Sequence, residues 1–276
     1  MDKIGIMQGR LSPRYKGRYQ AFPVDTWQEE FALAKQLGFA CIEFIYDYEN
    51  YENSPLLTKS GKQIIRTVSE KSGVAVYSIC ADYFMRYPFF LQDQTLSQKS
   101  LEKLKQLIVE SQELDITDIT IPCVDESKLK TEDDEKRLIE GLQECLSLAQ
   151  SAGIYLNLET DLSPVPFLNL IEQINHPHIK INYDIGNSAA LGYDPQQELN
   201  AYAQYVSVLH IKDRILNGGS VKLGTGDAKL LWVLKKMKEV SFTGVVIMQA
   251  SRAVNDSEEF EWVRTQKKYV EDLLKH

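Results

Sequence analysis

The 276-residue chain has no surplus of positive charge: 39 acidic side chains stand against 31 basic ones, a formal net charge of -8. A protein that grips a phosphate backbone needs excess Lys and Arg, at least locally, so neither nucleic acid nor an anionic membrane surface is expected as a partner. No apolar run approaches the roughly 18 residues that would cross a bilayer, and no signal-peptide pattern opens the sequence; a cytoplasmic location is expected. Cysteine is scarce, with only Cys41, Cys80, Cys123 and Cys145, and no C-x-x-C pair. Three of them sit in apolar, strand-like runs, which reads as small buried hydrophobes in a reducing compartment rather than a disulfide framework. Fifteen Gly and nine Pro are too few for a fibrous or disordered chain.

What is present is alternation. Short runs rich in β-branched and aromatic residues predict strands at Ile4–Gln8, Cys41–Tyr46, Ala75–Asp82, Asp118–Cys123, Ile154–Thr160, Ile179–Asn187, Val206–Asp213 and Gly244–Ser251. Helical patterns separate them: Thr26–Leu37, Leu56–Ser72, Ser97–Leu114, Thr131–Ala152, Pro164–Ile174, Pro195–Tyr205, Lys229–Val240 and Glu258–Leu274. Gly38, Gly73 and Gly153 fall where left-handed helix caps belong, and Asp25 and Ser163 suit N-caps. Eight strand–helix units in one chain without a linker predict a single-domain α/β fold over 1–276, a (β/α)8 barrel. A doubly wound sheet is the alternative, but no G-x-G-x-x-G follows the first strand. The long, aromatic-rich stretch Gln8–Asp25 would lie over the catalytic end of a barrel as a lid. Trp27, Trp232 and Trp262 read as core.

Side-chain parity adds a site. Alternate strand residues share a face, which groups Tyr155, Asn157 and Glu159 in the fifth strand and Lys180, Asn182 and Asp184 in the sixth. The opposite faces are mostly apolar, so the polar sets would point into the barrel. A purely structural interior would hold Val, Ile and Leu, and buried carboxylates are costly unless they are paired or bind an ion. His210 and Gln249 end the seventh and eighth strands on the faces of Val206 and Val208, and of Val245 and Ile247. Glu159, Asp184, His210 and Gln249 thus end four consecutive strands, where barrel enzymes place their chemistry. Two carboxylates, an imidazole and a carboxamide oxygen suit a divalent ion of the manganese, magnesium, cobalt or zinc type. A hydrogen-bonded polar cluster is the competing reading.

These strings carry a resemblance. His210-Ile-Lys-Asp-Arg214 with Leu223-Gly-Thr-Gly-Asp227, Asn157-Leu-Glu-Thr160, Asn182-Tyr-Asp-Ile-Gly-Asn187 and the opening Ile4-Gly-Ile-Met-Gln-Gly-Arg-Leu-Ser-Pro13 resemble the strand-end motifs of the xylose-isomerase-like barrel superfamily. The resemblance implies a metal held by Glu159, Asp184, His210 and the eighth-strand residue, and a sugar or sugar-phosphate isomerase or epimerase working through an enediolate. In sugar epimerases of that group the eighth-strand residue is a Glu that pairs with the fifth-strand Glu across the sugar. Gln249 departs from this: its oxygen can ligate a cation, but an amide takes no proton at neutral pH. Glu159 is then the one matched base. A one-base isomerase is favoured over a two-base epimerase unless another group substitutes, and metal binding should be weaker.

Around this set, Gln8, Arg10, Asn187, Lys212 and Arg214 are candidate substrate contacts. Asp213 would orient His210 or start a loop. Glu43 is either an interior polar group or a support for the metal site, and Arg252 could meet a phosphate. An inosose-type polyol dehydratase and a non-catalytic sugar-binding barrel are alternatives. An apurinic endonuclease is disfavoured, because its metal cluster is rich in His and this chain has four in all. Relatives often form dimers or tetramers, so a homo-oligomer is possible by analogy.

Overall fold

The computed structural model describes residues 4–275. Eight parallel strands close into a barrel in sequence order: β1 Ile4–Met7, β2 Cys41–Ile45, β3 Ala75–Cys80, β4 Asp118–Cys123, β5 Tyr155–Thr160, β6 Ile179–Asp184, β7 Val206–Ile211 and β8 Val245–Met248, with β8 hydrogen-bonded back to β1. The helices are α1 Glu29–Gln36, α2 Lys59–Ser72, α3 Tyr83–Arg86, α4 Gln94–Gln112, α5 Glu132–Ala152, α6 Pro164–Ile174, α7 Ile185–Leu191, α8 Pro195–Tyr202, α9 Leu230–Glu239 and α10 Glu259–Leu274. The expected (β/α)8 architecture is therefore present. Residues 1–3 and 276 of the expected single domain lie outside the described residues.

Local chemistry explains most boundaries. Gly38, Gly73 and Gly153 all take positive φ after α1, α2 and α5, a backbone region open to glycine at little cost. Thr131 and Asp134 close a reciprocal capping box that starts α5. Asp25 is not an N-cap: residues 23–28 form turns, with the Thr26 N–H on the Pro23 carbonyl, and α1 begins only at Glu29. Ser163 occupies the N-cap position of α6 without a side-chain bond, and Pro164 sets the first turn. The sixth strand stops at Asp184 rather than Asn187, because the Asp184 carboxylate accepts the Asn187 N–H at 2.9 Å and so nucleates α7 directly. Trp27 is buried, but Trp232 is 37% exposed on α9 and does not belong to the core.

The apolar core lies between strands and helices, with Phe44, Ile79, Ile119, Leu158, Ile181 and Leu209 fully buried. The barrel interior is polar at more than one level. Low in it, Asn157 donates to Asp118 at 3.0 Å, and Ser207 donates to both Asp118 (2.9 Å) and Asn157. Asn157 therefore serves this buried network.

Candidate active site

Four strand ends and one long loop build the site. Glu159, which is 7% exposed, has both oxygens held by amides: Asn182 Nδ2 donates to Oε2 at 2.8 Å and Asn187 Nδ2 to Oε1 at 2.7 Å. Burial, reinforced by the neighbouring Asp184 carboxylate, pushes the Glu159 carboxyl up to about 7, against the pull of His210 and Lys212. His210 is fully buried with Nε2 2.7 Å from Glu43 Oε2, while Nδ1 lies 3.2 Å from Asn182 Nδ2 and 3.9 Å from Asp184 Oδ2. Burial alone would lower the imidazolium, but the carboxylates of Glu43, Glu159 and Asp184 outweigh it and raise the group to about 9. Glu43, on β2, thus touches the histidine directly.

Lys212 continues the β7 parity into the site, donating to Asp184 Oδ2 (3.2 Å) and Asn187 Oδ1 (3.0 Å). Its path runs across Gly186, where an added Cβ would lie 2.7 Å from Lys212 Cγ; glycine is what permits this approach. Arg214 donates to Asn187 Oδ1 at 2.8 Å and twice to the Gly218 carbonyl. Both acceptors of Arg214 are neutral. Gln249 donates through Nε2 to Gln20 Oε1 at 3.0 Å, while its own Oε1 is buried and has no hydrogen-bond partner among the described residues.

Four expected residues do other work. Gln8 Oε1 accepts the Ile45 N–H at 2.9 Å, and Arg10 donates to the Ala250 and Tyr19 carbonyls and to Gln20 Oε1. Both are almost fully buried, and neither lines the cavity. Asp213 does not orient His210: its carboxylate accepts the N–H groups of Gly224, Gly226 and Ala228 and so shapes the loop after β7. Arg252 donates to Glu259 and to the Ser12 carbonyl and is 8% exposed, so no charge is left facing the cavity for a phosphate.

Above the strand ends lies a cavity of about 410 Å³, whose lining includes Glu159, Asn187, Lys212, Arg214 and Gln249. The stretch after β1 covers it as expected and contributes Arg18, Tyr19 and Gln20 to the wall. This cover is tied down at several points. Glu30 of α1 accepts the Gly9 and Leu11 N–H groups, Asp47 accepts Phe22 N–H (2.8 Å) and both Arg18 terminal nitrogens, and Gln20 Nε2 donates to Asp82 Oδ2 at 2.9 Å. Phe22 and Trp27 pack on Phe44, with ring centroids 5.4 and 5.7 Å away. Sequence reasoning missed Arg18, Gln20 and Asp82. Asp82 shares the parity of Ser78 and Cys80 at the end of the third strand and was findable; a loop residue such as Gln20 carries no such periodic signal.

The donor set of Glu159, Asp184, His210 Nδ1 and the unpartnered Gln249 Oε1 fits a divalent cation in its chemistry. A carboxylate behind the other ring nitrogen of His210 is the usual support of a metal-binding imidazole. Each carboxylate oxygen of Glu159 and Asp184 already accepts one N–H, from Asn182, Asn187 or Lys212, and keeps a second lone pair. Among the described residues no three His, Cys, Asp or Glu side chains are grouped to hold an ion.

Fold and strand-end constellation together define a class, and comparison with known proteins agrees. Residues 31–269 match the model of the xylose isomerase-like TIM barrel family, and the chain belongs to that family. It is 28% identical over 266 residues to a Haemophilus influenzae protein provisionally named L-ribulose-5-phosphate 3-epimerase, covering 91% of this chain and 92% of that one. It is 29% identical over 199 residues to the L-ribulose-5-phosphate 3-epimerase of Salmonella typhimurium, covering 68% and 69%. Among solved structures, an L-ribulose 3-epimerase superposes with a TM-score of 0.77 at 16% identity, covering 100% of this chain and 95% of that chain. The D-psicose 3-epimerase of Clostridium cellulolyticum H10 gives 0.77 at 13%, covering 99% of each. At those identities the likeness is one of fold. Among the described residues, no helix is long and apolar enough to cross a membrane.

Proposed function

We propose that this chain is a sugar or sugar-phosphate isomerase/epimerase that acts through an enediolate, with Glu159 as the base. The observation that carries the reading is the state of Glu159: a buried carboxyl poised at about 7, oriented by two amides and facing a cavity that Lys212 and Arg214 make cationic on one side. A general base works best with a pKa near the operating pH. Removing a proton next to a carbonyl builds negative charge on the carbonyl oxygen, and the Lys212 ammonium is placed to offset it. Arg214, bonded only to neutral acceptors, has its charge free for a phosphate or a ring of hydroxyls, and Asn187 can orient a hydroxyl beside Glu159. The names of the sequence relatives point to a ketopentose phosphate.

Glu159, Asp184, His210 and Gln249 would hold a Mn-, Mg-, Co- or Zn-type ion, which would polarise the carbonyl as a Lewis acid. Gln249 can serve it through Oε1 while Nε2 stays on Gln20.

The test is proton exchange. The protein is incubated in deuterated water, with and without Mn²⁺, with ketopentoses, ketohexoses and their phosphates. Exchange at the carbon beside the carbonyl, abolished in Glu159→Gln, is expected. No exchange on any member of the panel would sink the assignment.

A further inference from the structure

Inverting a carbon centre needs proton-transfer groups on both faces of the substrate, and the amide of Gln249 cannot be one of them. Among the described residues three carboxylates line the cavity: Asp82, Asp125 and Glu159. Asp125 is exposed at the rim. Asp82 is 5% exposed and follows the end of β3.

The register of the barrel sets where β3 ends. Ser78 pairs with Asp118 and through it with Tyr155, and Cys80 pairs with Thr120 and through it with Asn157. The ladder ends at Cys80; Asp82, two residues on, has helical φ/ψ and stands directly before α3. Asp82 and Glu159 enter one cavity, from the ends of β3 and β5, which β4 separates.

Asp82 is also held in place. Gln20 Nε2 donates to both of its oxygens (2.9 and 3.3 Å), and Cys80 Sγ donates to Oδ1 at 3.2 Å. The Gln20 orientation is itself set: its Oε1 accepts from Gln249 (3.0 Å) and from Arg10 (3.1 Å), which leaves its NH2 group toward Asp82. The amide at 249 thus supports the carboxylate at 82.

We propose that Asp82 is the second acid/base residue of the reaction, working opposite Glu159 and filling the role that Gln249 cannot. The proposal rests on the isomerase/epimerase reading above and narrows it to inversion of the carbon beside the carbonyl. The Glu159 carboxylate takes that carbon's proton, the C–H electron pair forms the carbon–carbon double bond, and the carbonyl pair moves to oxygen. Asp82 in its acid form then delivers its proton to the opposite face of the same carbon as the carbonyl reforms. Glu159 ends protonated and Asp82 ionised, which is the arrangement for the reverse reaction, and exchange with water resets both. Burial favours the acid form, holding the Asp82 carboxyl above its ordinary range despite the hydrogen bonds from Gln20 and Cys80.

The experiment compares the parent with Asp82→Asn and Asp82→Glu on the ketose and ketose-phosphate panel in deuterated water, following deuterium uptake and inversion separately by NMR. Loss of a positioned acid/base group costs about 10²–10⁴-fold. Inversion by Asp82→Asn is expected to fall at least about 100-fold on that scale. Uptake into substrate of unchanged configuration, which needs Glu159 alone, should fall far less than inversion, and Asp82→Glu should recover part of the inversion. A merely structural Asp82 would lower uptake and inversion together, and that result overturns the proposal. So does inversion by Asp82→Asn at the parent's rate, or a parent that exchanges without inverting any member of the panel, which would leave a one-base isomerase. A parent with no exchange at all fails the underlying reading and this inference with it. Asp82→Ser, which keeps a hydrogen-bonding group for Gln20, is read in the same way should the amide variant not fold.

Discussion

Glu30 offers a prediction whose size follows from its surroundings. Its side chain, 1% exposed, accepts the Gly9 N–H at 2.9 and 3.1 Å and the Leu11 N–H at 3.0 Å, fastening the start of the cover over the cavity. Burial outweighs these donors and the nearby Arg252 charge, and pushes the carboxyl up to about 7 from an ordinary 4.5. The folded chain therefore binds more protons than the unfolded chain between those values. The Glu30 contribution to stability is fully present below about pH 4.5 and is lost as pH rises through about 7. At about 1.4 kcal/mol per pH unit, the whole effect is about 3 kcal/mol, of which roughly 2–3 kcal/mol falls between pH 5 and 8. Glu30→Gln cannot ionise, yet its carbonyl can still accept from Gly9 and Leu11. Urea unfolding of parent and variant at pH 5, 6, 7 and 8 should show the parent losing stability relative to the variant by that amount across the series. Parallel curves would refute the reasoning, since they would mean that Glu30 titrates alike in both states.

Other perturbations test other contacts. Asp213→Ala removes the carboxylate that three part-buried loop N–H groups share and should cost about 1.5–3 kcal/mol in urea unfolding; a loss below about 1 kcal/mol would mean that the loop holds itself. Gly9→Ala forces a side chain onto a residue at φ +81° and sets its Cβ 2.8 Å from the Ala21 carbonyl oxygen. About 2 kcal/mol of destabilisation and a thermal midpoint several degrees lower are expected, and an unchanged midpoint would contradict the positive φ. Gln249→Glu adds a carboxylate to the cation donor set, so Mn²⁺ affinity by calorimetry should rise about tenfold or more, given about 1.4 kcal/mol per decade. Equal affinity would remove position 249 from the ligand set.

Much of the barrel was legible because its signals are periodic and local. β-branched runs, helix caps at Gly38, Gly73 and Gly153, and strand parity identified eight units and brought Glu159, Asp184, His210 and Gln249 to one end. What failed depended on competition between partners. Asp213 and Arg10 carry the right charge at strand ends, but backbone groups of neighbouring loops claim them first, and a buried polar group goes to whichever partner satisfies it. Asp184 could be placed on its strand; that its side chain also caps α7 could not.

Residue order therefore decided the number of staves, their sequence and the face on which each polar side chain lies, because those follow from a period of two along a strand. Closure of the barrel decided the rest. Only the closed barrel brings Asp82 and Glu159 to one cavity, and only the folded cover brings Gln20 between Asp82 and Gln249. Contacts between residues 62 and 229 positions apart leave no periodic trace in the chain, since nothing but the closed geometry makes them neighbours.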